Sequence, residues 1–431
     1  MVAVPPVSRV TGRWIAVIGG GVSGLTAAYL LSKAGDHVTL YEADGRLGGR
    51  ADTHLVTADD GRVLPVDTGF IIFNDRTYPL LTRLFAEMGI DRQESDMSMS
   101  VRCAGCGLQY AGHRGAAGLL AGLPRGGARH ARMLAEVPRF HARARELLAA
   151  GGQDDELTLG QFLDAGGFSR YFRAHFAMPL VAAVWSCPPG TALHYPARYL
   201  FTFLANHGML SISGSPAWYT VAGGSRRYVA RIAAQIPAIR TSAPALAVHR
   251  SPDAAMVRDA SGELTAFDAV VIATHADQAL QLLAHPTPAE QKLLGAFQYT
   301  ANPAVLHTDS RLLPTSPRVR ASWNYRLTDC HTETTQDVRI SYDMNRLQRL
   351  TAAGDYIVTL GDADAVDPRH VIDRMQYAHP VYTPDSVAAQ RRLPELSTPV
   401  AVFAGAYHGW GFHEDGCRSG AEAARALGVR W

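Results

Sequence analysis

A chain of 431 residues is long enough for two domains with separate cores, and 47% apolar with 19% charged residues places it among folded globular proteins rather than disordered or collagenous ones. Its 41 basic and 39 acidic residues leave a formal balance of +2, without the overall positive excess that nucleic-acid binders use against phosphate backbones. Five cysteines are an odd, sparse set that argues against a disulfide framework and predicts a reducing, cytoplasmic setting.

The only lysines are Lys33 and Lys292, which nearly removes lysine chemistry. Residues 15–34 are mostly apolar, but glycines and polar residues interrupt them, and they read as a nucleotide-binding unit rather than a membrane span. Residues 14–18 form a short apolar strand that runs into Gly19-x-Gly21-x-x-Gly24, and Leu25, Ala28 and Leu31 then recur at helical spacing up to Gly35. One glycine makes the tight turn, the next admits a pyrophosphate to the backbone, and the third lets helix and strand pack closely. Amide groups at the helix start then face the diphosphate. Gly19, Gly21, Val22, Ser23 and Gly24 are therefore expected cofactor residues. A second strand, 37–41, ends in Glu42, an acid suited to accept hydrogen bonds from an adenosine ribose, with Ala43 beside it in the same set. NAD and FAD both satisfy this unit.

Further along, Cys103-x-x-Cys106 lacks a second pair at zinc spacing and reads as a hairpin turn with free thiols, so no metal site is expected. Between 111 and 150, Arg114, Arg125, Arg129, Arg132, Arg139, Arg143 and Arg145 stand against Glu136 and Glu146. The pattern reads as a solvated helix face, with peripheral membrane or acidic carrier-protein contact as the alternative. Phe168, Tyr171, Phe172, Phe176, Leu180 and Val184 follow one helical face and read as core. Gly223-Gly224-Ser225 precedes a helical stretch, 248–274 reads as short strands that bring Val248 and Thr274 into the cofactor set, and 339–343 and 356–360 read as strands of a second insert. A strand at 400–404 leads to Gly405, Glu414-Asp415-Gly416 and a closing helix. The fold class is α/β: a discontinuous Rossmann-like domain from 13–80, 217–290 and 395–431, and a mixed α+β substrate domain from 81–216 and 291–394.

Arg46-Leu47-Gly48-Gly49-Arg50 and Val66-Asp67-Thr68-Gly69-Phe70 resemble segments of the flavin-containing amine oxidase and phytoene desaturase superfamily, which passes a second glycine pair and an arginine beside the FAD diphosphate and the flavin. VDTGFIIFNDRTYPLLTRLFAEMGIDRQE (66–94), MPLVAAVWSCP (178–188), FLANHGMLS (203–211), residues 218–229 and GAYHGWGFHEDGCRSG (405–420) resemble a bacterial branch of predicted NAD/FAD-binding oxidoreductases associated with cyclopropane and modified fatty-acid synthesis.

The resemblance implies non-covalent FAD as cofactor and adds Arg46, Gly48, Gly49, Arg50, Asp67, Thr68, Gly69, Phe70, Gly405, Phe412, Glu414, Asp415 and Gly416 to its contacts. Many amine oxidases of this superfamily place a lysine beside flavin N5, and the comparable segment here offers His307. Phe73, Trp185, Trp218, Tyr407 and Trp410 are candidate pocket walls beside Phe70 and Phe412. Asn74, Asn206, His207, His408, His413 and Glu414 are polar candidates, with His413 and Glu414 carrying the catalytic expectation. A histidine could move a proton near neutral pH. The leading function is FAD-dependent hydride abstraction from a hydrophobic, lipid-like or unsaturated small molecule, by dehydrogenation or double-bond isomerisation. Amine or amino-acid oxidation, and FAD binding without turnover, are the alternatives. Oligomeric state is left open.

Overall fold

The structure is a computed structural model that describes residues 12–112, 115–151, 156–185, 187–211, 214–330 and 339–431. The chain divides into two compact units, one from Met1–Arg50, Tyr228–Gly295 and Arg392–Trp431, the other from Ala51–Arg227 and Ala296–Arg391.

The first unit is built on a five-stranded parallel sheet in the order Ala401–Phe403, Ala269–Ile272, Trp14–Ile18, His37–Tyr41, Ala238–Arg240. Numbered along the chain, that order is 5-4-1-2-3, the Rossmann arrangement. Ile15, Val17, Val270, Val271 and Ile272 are fully buried, as central strands covered on both faces require. The helix Val22–Lys33 is buried from Val22 to Leu31 and packs against the closing helix His413–Ala426. Small residues make that approach feasible: a Cβ on Gly420 would lie 2.2 Å from the Ser23 carbonyl oxygen, and one on Gly416 would lie 2.5 Å from Val22 Cγ1. A three-stranded antiparallel sheet, Ala245–Arg250, Ala255–Asp259 and Leu264–Phe267, completes the β structure of this unit.

The second unit carries a seven-stranded sheet in the order Val371–Val381, Gln298–His307, Ile357–Leu360, Ile340–Asp343, Trp323–Leu327, Met99–Cys103, Gln109–Gly112. All neighbours are antiparallel except Trp323–Leu327 and Met99–Cys103. Its helical part closes around Phe140, which is fully buried and has the rings of Phe162, Phe168, Phe172, Phe176 and Phe201 at 5.5–6.2 Å. Of the stripe read as core, Phe168 and Phe172 are buried, while Tyr171, Phe176, Leu180 and Val184 are half-buried.

The domain boundaries move, by a few residues at 290 and 395 and by more at 80 and 217. Residues 51–80 and 217–227, expected in the nucleotide domain, belong to the second unit. The cause is a polar hub: buried Asp67, at the end of the hairpin Thr53–Thr57/Val63–Asp67, accepts from the Ser225 amide and from Gln348 Nε2, and so ties three distant segments together.

On the helix Leu123–Ala149, Arg125, Arg129, Arg132, Arg139, Arg143 and Arg145 are exposed while Met133, Phe140 and Ala144 face inward. Arg114 lies outside the described residues. Among the described residues no helix is long and apolar enough to cross a membrane.

Candidate functional site

In the first unit the site grows from the turn after the strand Trp14–Ile18. Gly19 sits at φ +104°, and a Cβ there would lie 2.5 Å from the Ala273 carbonyl oxygen, so only glycine makes this turn without strain. A Cβ on Gly24 would stand 1.9 Å from the Gly19 carbonyl oxygen, which fixes the close crossing of helix and strand. At Gly21, the residue that opens the helix, nothing lies within 4 Å of where a Cβ would be. A turn closed behind and open in front is what a diphosphate needs. No acidic side chain occupies the helix's first turn, so the amides of Val22, Ser23 and Gly24 keep their pull on an anion.

The second glycine pair lies against this turn. Gly48 donates its amide to the Gly20 carbonyl at 2.8 Å and bridges Gly21, and a Cβ on Gly49 would be 3.2 Å from Gly21 Cα. Arg46 bonds back to the Gly49 carbonyl at 3.0 Å. Glu42 accepts from the Gly20 amide at 2.6 Å and from the Asp44 amide at 2.8 Å, which holds its carboxylate at the end of the second strand, next to Ala43, with lone pairs left for a ribose. Sequence reasoning missed this double anchoring, as well as Ser419. Ser419 Oγ accepts from the Gly405 amide at 2.9 Å and lies 3.5 Å from Ser23 Oγ, so it links the last strand's turn to the glycine helix. The spacing Gly416-x-x-Ser419-Gly420 was the signal that could have found it, since it puts three small residues on one helix face.

Thr274 and Gly405 meet at the carboxyl edge of the sheet, where a Cβ on Gly405 would be 3.1 Å from the Thr274 carbonyl and 2.4 Å from the Tyr407 ring. Arg50 is close enough for its charge to act on both His275 and His413, so it too stands at this edge. Phe412 and Trp410 are half-buried there, and Tyr407 is buried with its ring 4.7 Å from that of His408. Val248 is buried in the antiparallel sheet, its carbonyl accepting the Ala284 amide at 3.1 Å.

Several expected contacts have other jobs. Asp415 accepts from the Phe412 amide at 3.0 Å and from Arg418 at 3.1 Å, so this buried carboxylate caps its own helix. His413 is buried, and burial together with the Arg50 charge pushes its pKa down to about 3. As it stands here, its imidazole is neutral at physiological pH. Burial likewise pushes His207, His307 and His408 down to about 4. Glu414, the other residue with the catalytic expectation, is half-buried.

In the second unit Asp67 is the hub described above. Besides Ser225 and Gln348 it takes Thr53 Oγ1 at 2.5 Å, and burial raises its pKa to about 6. Thr68 bonds Tyr377 at 2.7 Å and the Asp52 carbonyl, again within the unit. Gly69 is half-buried beside Phe70. Phe73, expected in a pocket wall, is 1% exposed and packed among Phe70, Phe85 and Tyr219, so it is core. Asn74 is fully buried and folds its carbonyl onto the Arg76 and Thr77 amides, both at 2.9 Å, which makes it a turn residue rather than a substrate contact. His307 donates from Nε2 to Thr359 Oγ1 at 2.8 Å and accepts the Asp309 amide at Nδ1 at 3.0 Å, so both ring nitrogens are used inside the sheet and neither can face a substrate. Asn206 is exposed. The structure does bring Trp185 and Trp218 together: Trp185, Phe203, His207 and Trp218 form one continuous ring stack with centroids 3.9–6.0 Å apart.

A Rossmann sheet whose glycine turn, ribose-side acid and second glycine pair converge on one point defines a dinucleotide-binding protein. The particular family follows from comparison with known proteins. The profile of the flavin containing amine oxidoreductases matches residues 22–428. The chain belongs to that family of FAD-dependent oxidoreductases, and FAD is its cofactor. The protoporphyrinogen oxidase 2 of Arabidopsis thaliana is 54% identical over 44 residues, 10% of this chain and 9% of that protein. The chain thus spans about a tenth of the length of such curated relatives. Putrescine oxidase bound to putrescine superposes with a TM-score of 0.70 at 16% identity, over 97% of this chain and 99% of the other. The CLA-producing fatty acid isomerase from P. acnes gives a TM-score of 0.66 at 15% identity, over 97% and 99%.

Proposed function

We infer that the chain is an FAD-dependent oxidoreductase that removes hydride from a hydrophobic, lipid-like or unsaturated small molecule, by dehydrogenation or by transient oxidation and double-bond isomerisation. The observation that carries this reading is the placement of the two lysines. Lys33 and Lys292 are both exposed and sit in the last turns of helices of the first unit, so no lysine is buried where an amine-oxidising site would use one. FAD, when bound, supplies a two-electron acceptor for hydride. Gly19, Gly21, Val22, Ser23 and Gly24 would hold its diphosphate without covalent attachment, Glu42 its ribose, and Gly48, Gly49 and Arg50 the adjoining edge. Hydride loss from an unactivated C–H bond requires exclusion of water and tight positioning. Glu414 is the side chain left to take up a proton. The exposed arginines of Leu123–Ala149 are the surface to which an anionic headgroup or acidic carrier would be drawn.

Anaerobic mixing of the purified holoprotein with unsaturated fatty acyl compounds should bleach the flavin absorption or alter product mass. Bleaching by amines and by no lipid would overturn the reading and leave amine oxidation, the second reading, which the putrescine oxidase fold match favours. A flavin reduced by dithionite but by neither substrate class would identify a binding protein without turnover.

A further inference from the structure

We propose that Cys103, Cys106, His175 and Cys330 form a closed structural zinc site in the second unit. Their ligand atoms all lie within 4.8 Å of one another, although they come from a hairpin, a helix and a segment that follows a strand more than two hundred positions further along the chain.

Two of the six ligand–ligand distances match the edges of a tetrahedron around one ion, and all lie within 4.8 Å. With Zn–S near 2.3 Å and Zn–N near 2.05 Å, tetrahedral edges are about 3.8 Å between sulfurs and about 3.6 Å between sulfur and nitrogen. Cys103 and Cys330 have their sulfurs 3.8 Å apart, and Cys106 Sγ stands 3.5 Å from His175 Nε2. All the cysteines are free, so the sulfurs converge without being bonded to each other.

The surroundings are those of a ligand set. His175 Nδ1 donates to the Tyr171 carbonyl at 3.0 Å, which selects the tautomer whose Nε2 lone pair faces the sulfurs. The Tyr171 ring stacks on the His175 imidazole at 4.1 Å, and the Tyr110 hydroxyl donates to the His175 backbone carbonyl at 2.7 Å, so both the ring and its backbone are held. His175 occupies a π-helical turn, Arg173–Ala177, of the kind that often marks a functional position. On the hairpin, the Cys106 amide donates to Cys103 Sγ and the Leu108 amide to Cys106 Sγ. Gly107, at φ +72°, lets the chain reverse so that the second of these bonds can form. Amides aimed at sulfur stabilise thiolates.

Cys103 and His175 are buried while Cys106 and Cys330 are half-buried. Four protein ligands leave no open position, so the ion is a staple and not a catalyst. On loading, the three thiols give up their protons to solvent and the zinc takes their place. The earlier expectation of a plain hairpin turn came from counting cysteine pairs along the chain, where the third and fourth ligands do not show.

Elemental analysis of the freshly purified full-length holoprotein tests this directly. One zinc per chain is expected, falling to less than about a tenth in Cys106→Ser and His175→Gln and retained in Cys106→His, because imidazole replaces thiolate as a zinc ligand. Cobalt added to the chelator-treated chain should give the intense visible bands of a tetrahedral sulfur-ligated ion, distinguished from flavin absorption as a difference spectrum. Metal-free wild-type protein that takes up neither zinc nor cobalt would overturn the proposal without any variant needing to fold. So would stoichiometric iron, or a Cys103–Cys330 disulfide in the native chain.

Discussion

The glycine turn of the first unit and the Asp67 hub of the second are both clusters of tight polar and backbone contacts, but they are assembled differently. Gly19, Gly21, Gly24, Glu42 and Gly48 lie within thirty positions of one another, and each does its work through the backbone or the end of a strand. Asp67 gathers Thr53, Ser225 and Gln348 across nearly three hundred positions and works through side chains. The comparison teaches that an acid at the end of a strand can be fixed by backbone amides close by, as Glu42 is, or by side chains from distant segments, as Asp67 is.

The largest effect is expected where no accommodation is available. Gly24→Val would drive its Cβ into the Gly19 carbonyl, and the purified chain should bind FAD at least about 100-fold more weakly, a loss of roughly 3 kcal/mol, seen as loss of flavin absorption. Retention of full colour would break the assignment of the cradle. Asp67→Asn sharpens the other side. Burial raises the folded-state pKa of Asp67 to about 6, above its unfolded value near 4, so the folded chain binds this proton more tightly. The stability it contributes is present below pH 4 and is lost as pH rises through about 6. The wild type should lose roughly 3 kcal/mol relative to Asp67→Asn between those limits, measured by denaturant unfolding at each pH. A difference that does not change with pH would mean the carboxyl is not held as described. The smallest effect is expected at His413. It is neutral above pH of about 3, so His413→Asn should change flavin reduction less than tenfold and leave its profile across neutral pH unmoved. A shifted limb in that profile would restore it as a proton carrier.

The fold was legible where its causes are local. Apolar runs at 14–18 and 269–272, glycines at fixed offsets and the acid after the second strand are each dictated by neighbours a few residues away, and the structure has them as read. The Phe140 core was legible for a similar reason, since helical spacing of aromatic residues already declares one buried face. The internal contacts of Asp67, Phe73, Asn74, His307, His413 and Asp415 were not legible, because their partners arrive from elsewhere or because the fold buries them. Thr359 beside His307 and Gln348 beside Asp67 are brought by pairing between distant strands or segments.

The sequence by itself determined the phosphate-binding turn, the parallel sheet around it and the near-absence of lysine chemistry, because backbone sterics and hydrophobic periodicity act over short separations. Only the tertiary structure decided which histidines are kept neutral by burial, which carboxylates are consumed as braces, and that three cysteines and a histidine from three segments meet at one point. Desolvation and convergence depend on what the rest of the chain brings close.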